Sequence, residues 1–239
     1  MDDEVIQSNP AHKLGKIGKN GNDKVEIKPL SREELKTLLD TVETDLSEHY
    51  PLMLLLARTG VRIGEAVALR WNDIDFDKRT IWIERTYTKG RLGTPKNGKS
   101  RSVDMSRQLK ETLLRLKACR TTIPMDEGSD WVFTNGNDSL IITDAWRWRV
   151  FDKAVKKAGI KRITPHDLRH TYATLRLSKG DSLAAVANQL GDTQIELLRT
   201  YSHYLLDTQT KTEVDALDDQ HPNAPYLHPD RKKDLSVNE

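Results

Sequence analysis

Between Asp73 and Met105 the hydrophobic period of the chain falls to two, and on both sides it returns to the three-and-four spacing of helices. Thr80-Ile81-Trp82-Ile83-Glu84, Arg85-Thr86-Tyr87-Thr88 and Arg101-Ser102-Val103-Asp104-Met105 read as three short strands. Asp77-Lys78 and Pro95-Lys96-Asn97-Gly98-Lys99 read as turns between them. So small a sheet buries little by itself, and the helices must supply most of the core. The predicted class is α+β, mostly α-helical with a small three-stranded antiparallel sheet.

The helical blocks carry their own punctuation. Ser31 with Glu34 forms a capping-box pattern ahead of Leu35, Leu38, Leu39 and Val42. Pro51 to Ala57 is almost wholly apolar, as in a buried helix, and ends at Thr59-Gly60. Ser106 to Arg120 is amphipathic, and Asp130-Trp131-Val132-Phe133 reads as a short extended segment. Thr143 caps a helix bearing Trp146, Trp148, Val150, Phe151, Val155 and Ala158, which stops at Gly159; its aromatics read as core. Thr164 caps a further helix with Pro165 in its first position. Gly191 closes a short helix opened by Asp181 or Ser182, and a last helix carries Tyr201.

Composition bounds the function. A hydrophobic content of 36%, a charged content of 31% and a mean hydropathy of −0.66 describe a soluble globular chain of 239 residues. No apolar run approaches the roughly 18 residues of a membrane span, and the polar, acidic N-terminus is no signal peptide, so a cytoplasmic location is expected. A single cysteine, Cys119, excludes an intrachain disulfide framework and a cysteine-based zinc site. The absence of a Walker motif or a glycine-rich dinucleotide loop gives no sign of ATP or NAD.

Net charge is only +2, yet its distribution is uneven. From Arg85 to Arg120, Lys89, Arg91, Lys96, Lys99, Arg101, Arg107, Lys110, Arg115 and Lys117 face only Asp104 and Glu111, and a second basic block runs from Arg147 to Arg162. That asymmetry suits a face that follows phosphates.

Two stretches concentrate chemistry. In Thr59-Gly60-Val61-Arg62-Ile63-Gly64-Glu65, Gly60 breaks one helix and lets the next begin at once, so Arg62 stands at its first turn with Glu65 one turn on. In Thr164-Pro165-His166-Asp167-Leu168-Arg169-His170, His166 and Arg169 lie one turn apart at a helix start, where free N–H groups and the helix dipole favour an anion. With Leu190-Gly191 and Tyr201-Ser202-His203, these motifs in this order closely resemble the catalytic domain of the tyrosine recombinases, the phage integrase family.

The resemblance covers roughly residues 30 to 210 and implies a metal- and ATP-independent enzyme, without cofactor, that cleaves and rejoins DNA. It implies catalytic roles for Arg62, Lys96, His166, Arg169, Asp192 and Tyr201, with Glu65, His170 and His203 supporting. Arg62 and Arg169 neutralise the phosphate, His166 adds a hydrogen bond and takes the tyrosine proton, Tyr201 attacks, and Lys96 protonates the leaving 5′-oxygen. It further implies double-stranded DNA attachment sites, a tetrameric homo-oligomer on DNA and an accessory DNA-bending protein. Residues 1–28 are read as a tail left from a missing core-binding domain, 29–210 as the catalytic domain, and 211–239 as a C-terminal tail for exchange between subunits.

Several points stay open in the residues themselves. Lys99 competes with Lys96 in the same turn. Tyr204 competes with Tyr201, three residues apart on one helix face. Asp192 stands where the family commonly has histidine or tryptophan, and it is expected either to brace an arginine or to begin the last helix as a cap. A type IB-like topoisomerase and a non-catalytic DNA-binding relative remain the alternatives to a recombinase.

Overall fold

The computed structural model describes residues 27–95, 98–120, 130–135, 137 and 139–205, with the side chains of 203–205 left outside. The N-terminal tail up to residue 26, the whole of the 211–239 tail, Lys96 and the side chains of His203 and Tyr204 therefore lie outside the described residues.

Helices α1 (Arg32–Asp45) and α2 (Tyr50–Thr59) form the predicted apolar pair. Ser31 and Glu34 cap α1 reciprocally, with Glu34 N–H donating to Ser31 Oγ at 3.1 Å and Ser31 N–H to Glu34 Oε2 at 2.8 Å. Helix α2 is apolar nearly all round and is buried nearly all round. It ends at Gly60, whose φ of 66° is the left-handed conformation that glycine adopts without strain.

After the short α3 (Ile63–Val67) come β1 (Ile74–Asp75), β2 (Thr80–Ile83), β3 (Thr86–Thr88), β4 (Arg91–Gly93) and β5 (Arg101–Asp104). The three-stranded antiparallel sheet exists, but its membership differs from expectation. Its order is β1-β2-β5, while β3 leaves it and pairs with β4 as a separate hairpin. Lys89 and Gly90, at φ 51° and 77°, make the two-residue turn of that hairpin. A hairpin closed so tightly captures β3 locally, which leaves the two-residue β1 as the third strand.

Helix α4 (Arg107–Arg120) follows, then α5 (Thr143–Trp146), a π-helical turn (Arg147–Phe151) and α6 (Asp152–Lys157). The expectation that the aromatics here are core holds for Trp146 but fails for Trp148, which is 56% exposed with the Arg149 guanidinium 4.5 Å above its ring. The segment at Asp130–Phe133 contributes a single bridge, Trp131 to Arg70.

The last three helices among the described residues are α7 (Pro165–Leu177), α8 (Leu183–Leu190) and α9 (Gln194–Leu205). Leu168 of α7 belongs to the large core built on α1, α2, the sheet and α4 to α6. One turn later Tyr172 and Ala173 join a second cluster with Val186, Leu190, Leu197 and Tyr201. Helix α7 thus joins the two apolar clusters, and the motif residues gather along their seam.

Candidate functional site

The seam exists because Gly60 lets α7 and α8 come close to the end of α2. A Cβ there would lie 2.6 Å from Tyr172 Cδ1 and 2.7 Å from Leu190 Cδ2, so α2, α7 and α8 meet at a point only glycine fits. The Gly60 carbonyl accepts from Arg169 Nη1 at 2.9 Å, and the Leu190 carbonyl, a helix-end acceptor, takes Arg169 Nη2 at 2.9 Å. Arg169 is thereby held with 3% of its surface exposed. Burial works against its charge, and the carboxylate of Asp192 beside it is the chief opposing influence.

Arg62 comes from the other side. It is the residue before α3, its N–H donates to Glu65 Oε2 at 3.0 Å, and its Nη1 donates to Glu65 Oε1 at 3.2 Å. Nη2 points across to Asp192 Oδ1 at 2.8 Å, while Arg169 Nη2 donates to Asp192 Oδ2 at 2.5 Å. One carboxylate therefore bridges the two arginines, one oxygen to each. Of the two roles expected for Asp192, bracing is the one the structure gives. Capping falls to the next residue, Thr193, whose Oγ1 accepts from Glu196 N–H at 3.2 Å.

Helix α7 starts as the sequence predicts. Thr164 N–H and Oγ1 both donate to Asp167 Oδ2, at 2.7 and 2.8 Å, and Pro165 takes the first helical position. His166 and His170, one turn apart, meet edge to face with ring centroids 4.7 Å apart. His166 keeps an open edge to solvent. Packing on its other sides, then the charges of His170, Arg169 and Arg62, nevertheless hold its pKa down to about 4, with Asp167 pulling the other way. It is a neutral imidazole at pH 7.

Tyr201 is 3% exposed, and its hydroxyl lies 2.6 Å from His170 Nδ1. Burial lowers the His170 pKa too, so both histidines are neutral and can accept a proton. The residue in contact with the phenol is thus His170, read from sequence as a supporting group. Arg62, Glu65, His166, Arg169, His170, Asp192 and Tyr201 are brought together. Lys99 is exposed, and Lys96 lies outside the described residues, as does the His203 side chain.

One participant escaped the motif reading. Arg101 on β5 sends Nη2 to Glu65 Oε2 at 2.7 Å, Nη1 to Glu65 Oε1 at 3.1 Å and Nε to the Gln189 carbonyl at 3.1 Å. Burial pushes the Glu65 carboxyl up, but the Arg101 fork and Arg62 more than reverse this and keep it below the ordinary carboxylate range. In sequence Arg101 looked like one more member of a basic surface block. The available signal was strand alternation, which places it on the same face as the fully buried Val103. Arg120 of that block also turns inward, donating to the Trp131 carbonyl and to Thr134 Oγ1.

Residues 28–206 match the model of the phage integrase family. The chain belongs to that family. Among relatives of the family, it is 29% identical over 195 residues to the tyrosine recombinase XerC of Staphylococcus saprophyticus, an alignment covering 80% of this chain and 61% of that protein. The crystal structure of XerA recombinase matches with a TM-score of 0.63 at 28% identity, over 83% of this chain and 66% of that one. The Tn1549 transposon integrase, solved in complex with circular intermediate DNA, matches in fold with a TM-score of 0.70 at 24% identity, over 82% of this chain and 68% of that one. This integrase-family chain thus has the tyrosine recombinase catalytic-domain fold, and spans less than two thirds of the length of the XerC it matches.

Proposed function

We propose that this chain cleaves and rejoins DNA strands as the catalytic part of a site-specific recombinase, serving integration or excision of a phage or other mobile element. The observation that carries the proposal is the bridge between Arg62 and Arg169. Two guanidinium groups already converge on the two oxygens of one anion, Asp192, the arrangement a phosphodiester needs. DNA phosphate takes the place of that carboxylate, and Asp192 withdraws.

The chemistry then runs on groups along the seam. Tyr201 Oη attacks phosphorus as its proton passes to His170 Nδ1, forming a tyrosyl O–P bond while the P–O5′ bond breaks. The two arginines hold the charge that develops on the non-bridging oxygens, and neutral His166 donates a hydrogen bond to one of them. The 5′-oxygen takes a proton from Lys96, with Lys99 as the competing donor. The 3′-phosphotyrosyl link keeps the bond energy, so a second 5′-hydroxyl can reverse the step without ATP. The working assembly is a homo-tetramer on double-stranded attachment sites, with an accessory DNA-bending protein.

The test is incubation with nicked candidate attachment-site duplexes followed by denaturing electrophoresis, comparing wild type with Tyr201→Phe. A covalent adduct with wild type alone is expected; absence of adduct on every duplex overturns the cleavage reading. Exchange between two sites, against relaxation of a single supercoiled circle, separates a recombinase from a topoisomerase. A second reading, a DNA-binding relative that does not cut, draws on Asp192 filling the anion pocket, and it predicts duplex binding with no adduct.

A further inference from the structure

We propose that Arg101 is a positioning residue for the anion site, holding Glu65 so that Glu65 in turn fixes Arg62 toward the phosphate. The inference rests on the reading above for the identity of the anion. Its geometry is independent of that reading.

Glu65 is 1% exposed and accepts from three sources at once: the Arg62 backbone, the Arg62 side chain and both terminal nitrogens of Arg101. A carboxylate that deep is tolerated only when it is paired, and of its two cationic partners Arg101 is the more buried, its side chain 10% exposed against 25% for Arg62. Arg101 is also fixed from behind. Its Nε is spent on the Gln189 carbonyl, and its side chain lies where a Cβ on Gly191 would be, 2.8 Å from Cδ. Gly191 has a φ of 70° and closes α8 one residue before Asp192. The result is a ladder of alternating charge, Arg101 to Glu65 to Arg62 to Asp192 to Arg169, which ties β5, α3, the α8–α9 turn and α7 together.

The ladder explains why the guanidinium of Arg62 is aimed at the same point as that of Arg169. Arg62 has five donors and, left to itself, many rotamers. Glu65 selects one of them, and Arg101 keeps Glu65 both ionised and in place. The charged groups facing Glu65 are Arg62 beside it, Arg101 from β5 and Arg169 from α7. Without Arg101, Glu65 takes up a proton at higher pH, and Arg62 then loses the ionised carboxylate behind it and keeps only its bond to Asp192.

The experiment compares wild type, Arg101→Lys, Arg101→Gln and the double variant Glu65→Gln/Arg101→Gln, using sulfate as the anion because its charge is constant over the pH range. Sulfate affinity is followed through the arginine side-chain NMR signals as a function of pH. Arg101→Gln is expected to bind sulfate about tenfold more weakly and to move the acid limb of binding upward by about one pH unit, the size of effect a neighbouring guanidinium has on a carboxylate. Arg101→Lys restores the limb in part, since it returns the charge without the fork. The double variant removes the buried charge mismatch, so it folds if the single variant does not, and it should bind as weakly with no limb. Wild-type affinity and an unmoved limb in Arg101→Gln, or wild-type affinity in the double variant, overturn the proposal. Adduct formation on DNA is scored separately. If wild type forms none while the sulfate series behaves as stated, cleavage fails and Arg101 keeps its role; if Arg101→Gln forms adduct at the wild-type rate at every pH, the positioning role fails and cleavage stands.

Discussion

His170 Nδ1 and Tyr201 Oη lie 2.6 Å apart, so the phenol is buried against the histidine one helical turn beyond His166. A neutral His170 with Nδ1 bare accepts from the phenol, and the same contact that keeps Tyr201 packed also offers its proton a destination.

His170→Phe keeps an aromatic ring and removes the acceptor. Covalent adduct formation on nicked duplex should fall by about 10²-fold, the lower end of the range for a lost general base, while duplex affinity stays within twofold. Time-resolved denaturing gels alongside fluorescence anisotropy check both halves. An unchanged adduct rate would reassign the proton to another group.

Asp192→Asn tests the carboxylate between the arginines. A phosphate arriving at Arg62 and Arg169 meets a like charge, a contact of about 1 kcal/mol even in water-like surroundings. Removing it should tighten duplex binding by about fivefold at low salt. Asp192→His, which restores a hydrogen-bond donor, should preserve or raise cleavage. Weaker binding in the asparagine variant would mean that the carboxylate organises the arginines more than it competes with the phosphate.

Gly60→Ala meets two penalties together. Its φ of 66° disfavours any side chain, and the added methyl would press within 3 Å of Tyr172 and Leu190. A loss of about 1–3 kcal/mol in denaturant unfolding is expected. Duplex binding should weaken with it, because the Gly60 carbonyl anchors Arg169.

Acid should weaken the fold through His166. Its pKa is held down to about 4, whereas the unfolded imidazole titrates at its ordinary value of 6.5. Between those values the unfolded chain binds more protons than the folded one, so stability rises with pH across that window and is level above it. His49 and His170, also lowered, add in the same direction. Melting temperatures from pH 4 to 7.5 should climb and then flatten, and His166→Gln should flatten the climb; equal slopes in the two proteins would count against a neutral His166.

Local chemistry was legible along the chain because it is decided within a few residues. Ser31 and Glu34, Thr164 and Asp167, and Gly60 and Gly191 mark helix ends by bonds and dihedrals that neighbours alone satisfy. The motif spacing was enough to nominate Arg62, His166, Arg169 and Tyr201. Strand partnership was not legible, since Thr86–Thr88 alternates equally well for either sheet and only the Lys89-Gly90 turn, closing on β4, decided which. Trp148, by contrast, was separable from Trp146, since residues two apart in a helix lie on opposite faces and it is Trp146 that shares a face with the buried Val150. The contacts that make the site are long in sequence: Asp192 reaches Arg62 across 130 residues, and Arg101 reaches Glu65 across 36. A sequence records which side chains carry charge, and folding alone sets which charges face each other once water is excluded. That is why the helices, their caps and the reactive residue types could be read along the chain, while the Asp192 bridge between the arginines, the hold of His170 on the phenol and the place of Arg101 behind Glu65 arise only on folding.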